Sequence, residues 1–288
     1  MQSDTVLKYM EDLKRLMIVK NYSPQSIGSY LPCLKRFFLF YPDFDHPKNI
    51  NKKQIELFLA EMGKISKPFQ KQCHCAVQLF YKLIMDQPHK MNGIPYPKWQ
   101  KKLSLPLNTN EVIKSIDAVQ DKEHKAILAL LFSSGLRRQE AATLKIDDID
   151  SRNMRITVRM GKGGKDRIVP LSLVCLEFLR AYLRSLSYKP RVYLFERRSG
   201  KYISPDTILK ICRWYVNAKT HDLRHTFATD LFRNGVQLPI IQEILGHKDI
   251  RTTMIYVHVD ETMLHGLYNP LDKLTEHNKL RLVEKIAA

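Results

Sequence analysis

Over the first hundred positions, apolar residues recur at the spacing of a helix face. Leu7, Met10, Leu13 and Leu16 mark one stripe across residues 4–20. Ser23-Pro24 then supplies an N-cap followed by a proline at the first helical position, and Ile27, Tyr30, Leu31, Leu34 and Phe38 form the next stripe. Asn51 is placed to cap a third helix with Ile55, Phe58, Leu59 and Met62 on one side. A fourth, from about Pro68, carries Phe69, Ala76, Leu79, Phe80, Leu83 and Ile84. An apolar stripe needs a partner surface, so a small four-helix domain is expected over residues 1–100.

The texture changes between residues 86 and 110, where Pro88, Pro95, Pro97 and Pro106 interrupt any period. An interdomain linker is expected at 101–108 and a second domain at 109–288. Helical spacing resumes over 111–119 and 123–133, the latter with Ile127, Leu128, Leu130 and Leu131 deeply apolar. Between 150 and 171 the period becomes two. Ile156, Val158 and Met160 alternate with Thr157 and Arg159, and Ile168 and Val169 lie beyond a Gly-Lys-Gly-Gly turn, which predicts a β-hairpin. Helical patterns return afterwards. The expected class is mainly α with a small β-hairpin or sheet, an N-terminal four-helix domain preceding an α+β domain.

Charge sharpens this picture. The formal net charge is +18, and residues 1–108 and 109–288 each carry nine more basic than acidic side chains. A polyanionic partner is therefore expected, gripped by both domains, and charge alone would suit RNA as well as DNA. The five cysteines (Cys33, Cys73, Cys75, Cys175, Cys212) are odd in number and scattered, as in reduced intracellular proteins. Cys73-His74-Cys75 lacks a second ligand pair at finger spacing and reads as a buried helix face. No apolar run is long enough to span a bilayer and no signal peptide is evident, so a cytoplasmic, DNA-associated location without membrane contact is expected.

Five segments carry candidate chemistry, each with a plain alternative. In Ser133–Glu140 a glycine turn feeds a helix whose first turn holds Arg137, suited to a phosphate oxygen, with Glu140 one turn on to hold its guanidinium. A surface salt bridge would look the same. The hairpin tip Gly161-Lys162-Gly163-Gly164-Lys165-Asp166-Arg167 could enter a DNA groove and deliver a proton from a lysine, or be an ordinary tight turn. His221 and Arg224 share a helix face, half of a phosphoryl-transfer site or a common surface pair. Leu245-Gly246-His247 closes a helix starting near Pro239, with Gly246 the expected C-cap. Tyr256 follows nine positions later, and either it or His247 could be a core residue.

Taken together, the order Arg, hairpin Lys, His-x-x-Arg, Gly-His, Tyr resembles tyrosine recombinases of the phage-integrase and Xer type. The resemblance covers nearly the whole chain: Gly135-Leu136-Arg137, Gly161-Lys162-Gly163, His221 through Thr229, Leu245-Gly246-His247 and Thr252 through His258. It implies a core-binding domain at the N-terminus and a site-specific recombinase that cuts and rejoins DNA. Tyr256 would attack a backbone phosphate, forming a 3′-phosphotyrosyl link and freeing a 5′-hydroxyl. Arg137 and Arg224 would neutralise non-bridging oxygens, His221 would assist Tyr256 as base, and His247 would hydrogen-bond the phosphate. Lys162 would protonate the departing oxygen, Glu140 would orient its neighbours, and Lys165 and Arg167 would contact DNA. No metal, cofactor or ATP is implied. The implied partners are double-stranded recombination sites, accessory recombination proteins and a homotetramer in the synaptic complex, in which the chain's tail from about Leu271 would dock on a neighbouring protomer; packing of that tail on its own domain is the alternative. Similarity to type IB topoisomerases, which share this residue set, leaves nicking and religation of one strand as the alternative. One departure stands out: the stretch between Ile211 and His221 is short for the family.

Overall fold

The structure, a computed structural model, describes residues 3–98, 106–159, 166–247, 249 and 252–254. The chain separates into two compact units, Met1–Lys102 and Leu103–Ala288.

In the first unit the four expected helices form: α1 (Ser3–Val19), α2 (Pro24–Phe40), α3 (Lys52–Ile65) and α4 (Lys67–Leu83). Ser23 Oγ accepts from Ser26 N, and Asn51 and Gln54 cap α3 reciprocally, so orphan N–H groups at both starts find partners. The stripes meet in one core holding Leu13, Met17, Leu34, Phe37, Phe58, Phe80 and Tyr81, all fully buried. Aromatic edges interlock there, Phe37 on Phe58 at 5.1 Å and Phe38 on Phe80 at 5.2 Å between centroids. The buried Tyr81 hydroxyl donates to Pro47 O at 2.9 Å. Cys73 and His74 face this interior from α4, and all five cysteines are free thiols.

The second unit begins with α5 (Thr109–Asp117), capped by Asn108, and α6 (Lys122–Ser134). Leu107 N donates to Thr226 Oγ1 at 2.9 Å, so the chain just before α5 is already tied into this unit. Of the expected linker, residues 101–105 lie outside the described residues. Every residue from Ala126 to Leu131 is buried, because α6 runs through the middle of the core with neighbours on all sides. After α7 (Arg138–Thr143) comes an antiparallel sheet of β1 (Ile149–Asp150), β2 (Arg155–Val158) and β3 (Arg167–Pro170), in that order. The hairpin register pairs Val158 with Arg167 and Ile156 with Val169. Ile156, Val158 and Val169 point inward and Ile168 outward, as period two requires; Met160 and the Gly161–Lys165 tip lie outside the described residues. The two-residue strand β1 is too short to leave a periodic signal, and it makes the hairpin a three-stranded sheet. Helices α8 (Leu173–Ser185), α9 (Pro205–Val216), α10 (Thr220–Arg233) and α11 (Leu238–Leu245) complete the described part of the unit. No helix among the described residues is long and apolar enough to cross a membrane.

Candidate active site

The site is assembled from turns that meet at one helix end. At the C-cap of α6, Gly135 adopts a left-handed φ of 60°. A methyl group there would be strained and would sit 2.5 Å from Cδ1 of Phe227. The turn delivers Arg137 in extended conformation (φ −72°, ψ 150°) as the N-cap residue of α7, one position before the helical turn in which its spacing placed it. Glu140 folds back onto it: Oε2 accepts from Arg137 N and Oε1 from Arg137 Nη1, both at 2.8 Å.

Helix α10 contributes the His-x-x-Arg pair. Asp222 accepts from Lys219 N at 2.8 Å and caps its start. His221, in the first turn, is exposed, whereas Arg224 one turn later is 4 % exposed. Arg224 donates to the carbonyl oxygens of Gly135 and Leu245, and its Nη2 lies 3.3 Å from His247 Nε2.

The meeting point is the C-terminus of α11, where Gly246 takes φ 62°. The last carbonyls of a helix have no intrahelical donor and carry the negative end of its dipole. Three consecutive ones each receive a different guanidinium. Ile244 O accepts from Arg167 Nε at 2.8 Å, Leu245 O from Arg224 Nη2, and Gly246 O from Arg137 Nη2 at 3.2 Å. A single helix end thereby gathers arginines from three distant segments.

Arg167 is the point at which the sequence expectation changes. Expected as a DNA contact on the hairpin, it is the first residue of β3, with a side chain only 5 % exposed. Period two turns it inward with Val169, and its guanidinium grips Glu140 at 2.9 and 2.6 Å instead of facing solvent. Glu140 accordingly bridges two arginines, where spacing alone pointed to one. Lys162, Lys165 and Tyr256 lie outside the described residues.

These neighbours fix protonation. Burial alone would raise the Glu140 carboxyl; Arg167 first and Arg137 next outweigh it and hold it down at about 2. His247 is lowered to about 4, by burial first and then by Arg224, Arg137 and Arg167. It is therefore neutral near pH 7. Because a guanidinium only donates, Nε2 accepts from Arg224 and the ring proton sits on Nδ1, which donates to Thr253 Oγ1 at 3.0 Å. Three guanidiniums against one carboxylate leave this cluster with a formal excess of two positive charges among the described residues, suited to a phosphodiester as it gains charge. Sequence reasoning missed Thr253, which is fully buried, and the carbonyl hub on α11. A second threonine before Tyr256 carries no periodic signal, and backbone acceptors carry none at all.

A helical unit with a small antiparallel sheet and a cluster of arginines beside a neutral histidine is suited to hold a phosphate. Comparison with known proteins specifies the family. Residues 106–263 match the phage integrase family, and residues 9–91 match the phage integrase N-terminal SAM-like domain. The chain is 31% identical over 285 residues to the tyrosine recombinase XerD of Staphylococcus haemolyticus, covering 90% of this chain and 96% of that protein. Among solved structures, XerH recombinase bound to palindromic difH substrate in a post-cleavage complex superposes with a TM-score of 0.70 at 25% identity, over 85% of this chain and 79% of that one. A lambda integrase dimer bound to a COC′ core site shares the fold, with a TM-score of 0.71 at 16% identity over 87% of this chain and 94% of that one. The chain belongs to the phage integrase family of tyrosine-type site-specific recombinases, Xer-like enzymes that cleave and rejoin DNA strands.

Proposed function

We propose that the chain recombines duplex DNA sites in the cytoplasm through a 3′-phosphotyrosyl intermediate on Tyr256. The observation that carries this reading is the convergence of Arg137, Arg224 and His247 on the α11 terminus, although Arg137 and Gly246 stand 109 positions apart. The two guanidiniums receive the non-bridging oxygens, and His247 joins them by turning its Nδ1 proton from Thr253 to a phosphate oxygen once DNA is bound. The Tyr256 phenol, with an unperturbed pKa of about 10, needs a proton acceptor, and exposed His221 at the start of α10 takes that part. Lys162 protonates the departing 5′-oxygen. Lys165, on the same glycine-rich tip, grips the DNA. Breaking one P–O bond while forming another conserves the phosphodiester energy, so religation to a new 5′-hydroxyl needs no ATP. Positive charge comes from protein side chains, and the residues named assign no role to a metal or cofactor.

The partners proposed are double-stranded recombination sites, a homotetramer in the synaptic complex, and accessory recombination proteins. The structure of XerH bound to palindromic difH substrate supports DNA binding by analogy. The tail from about Leu271, proposed to seat on a neighbouring protomer, lies outside the described residues.

Covalent trapping tests the reading. Tyr256→Phe is expected to bind a nicked recombination site with wild-type affinity and to yield no protein–DNA adduct on a denaturing gel. Adduct formation by that variant at the wild-type rate would remove Tyr256 as the nucleophile.

A further inference from the structure

We propose that Arg167 is a positioning residue of the cleavage reaction, holding Glu140 with its guanidinium fork and Ile244 O with Nε so that Arg137 stands correctly at the end of α11. The inference rests on the reading that Arg137 receives the cleaved phosphate.

Four observations carry it. An ionised carboxylate has about four lone-pair sites, and here all four are filled. Glu140 Oε1 accepts from Arg137 Nη1 and Arg167 Nη1, and Oε2 from Arg137 N and Arg167 Nη2. Half of the bonds that fix Glu140 therefore come from Arg167. Secondly, the Arg167 side chain is 5 % exposed and that of Glu140 10 %, so this is an interior fork and not a solvated surface pair. Thirdly, Arg167 Nε donates to Ile244 O at 2.8 Å, two residues before the carbonyl that holds Arg137. Fourthly, Gly246 leaves room for the arginine stem: a methyl there would lie 2.9 Å from Cδ of Arg167 and 3.3 Å from Nε.

Geometry explains why a lysine would not serve. A bidentate grip on a carboxylate plus a third bond to a carbonyl uses three differently directed N–H groups on one rigid plane, which an ammonium cannot reproduce. Without Arg167, Glu140 keeps only its Arg137 bonds and can move with them. The phosphate-binding guanidinium then loses its fixed reference to the helix end that gathers the site. Misplacement on that scale slows chemistry while leaving most of the DNA grip intact.

The test uses the full chain and a nicked duplex selected from a random-sequence library by covalent capture on the wild-type protein. Binding affinity and single-turnover adduct formation are measured for Arg167→Lys, Arg167→Gln, Glu140→Gln, Arg167→Gln with Glu140→Gln, and Arg137→Ala. Adduct formation by Arg167→Lys and Arg167→Gln is expected to fall about 10- to 100-fold, with affinity changing by less than about threefold. The double variant should be no slower than the slower single one, because both remove the same fork. If Arg167→Gln does not fold, Arg167→Lys and Glu140→Gln carry the comparison. Wild-type cleavage by Arg167→Lys, or additive losses in the double variant, would overturn the positioning role. Wild-type cleavage by Arg137→Ala would instead overturn the underlying reading of the phosphate site.

Discussion

At the scale of single residues, the site depends on groups whose neighbours leave them little freedom. Gly246 combines φ 62° with an arginine stem packed against its α-carbon. Gly246→Ala is expected to cost about 1–2 kcal/mol from the left-handed backbone, before any displacement of Arg167. Chemical denaturation would measure it, and cleavage should fall together with stability. His247 makes a pH-dependent contribution of definite sign. Its folded pKa of about 4 lies below the ordinary 6.5, so the folded state favours the neutral ring. Between those values the unfolded chain binds the proton and the folded chain does not. The contribution is complete above pH 6.5 and is lost as pH falls towards 4. His247→Gln should flatten the fall in thermal midpoint between pH 7 and pH 4.5, and an unchanged slope would contradict the assignment. Glu140 acts lower, its contribution being lost only as pH falls from about 4.5 towards 2.

At the scale of elements, short turns decide how the helices deliver their side chains. The stretch before His221 is bridged by three residues between α9 and α10. Asn217 makes this feasible by taking φ 51° at the end of α9, with its N–H bonded to Cys212 O. Asparagine tolerates that conformation and a β-branched residue does not. Asn217→Val should therefore destabilise the chain by about 1–2 kcal/mol, whereas Asn217→Gly should be close to neutral. Equal effects of the two in urea titrations would show that the turn is not held by its backbone angle. The end of α11 is the other decisive element. Its orphan carbonyls accept from arginines, so stability of the helix end and geometry of the site are one property.

At the scale of the whole molecule, a main core in each unit, with a smaller cluster around Ala228, Ile241 and Leu245 in the second, and an evenly divided excess of charge describe a protein with two basic units. If both contact backbone phosphates, affinity should fall with salt more steeply for the full chain than for the 103–288 fragment, by about 0.9 in log–log slope per additional phosphate neutralised. Fluorescence anisotropy across a salt series would measure this, and identical slopes would mean that the first unit does not neutralise phosphates.

Much of this molecule is written locally. The four helical stripes, the Ser23 and Asn51 caps, the period-two hairpin and the Gly246 C-cap are readable because each depends on residues within a few positions of one another. Arg137, Arg224 and His247, which meet at the end of α11, could be singled out for another reason: chemistry-bearing side chains remain visible in the sequence however the chain folds. Interior against exterior was not readable for a residue like Arg167, whose composition suggests solvent and DNA while its strand parity turns it inward. Nor could spacing reveal that Glu140 serves two arginines, that Arg224 sets the tautomer of His247 and Thr253 receives its ring proton, or that three backbone carbonyls at the end of α11 hold the guanidiniums. Those partners lie tens of residues apart or belong to the backbone, which is the same at every position, so only packing brings them into contact and only distances identify them.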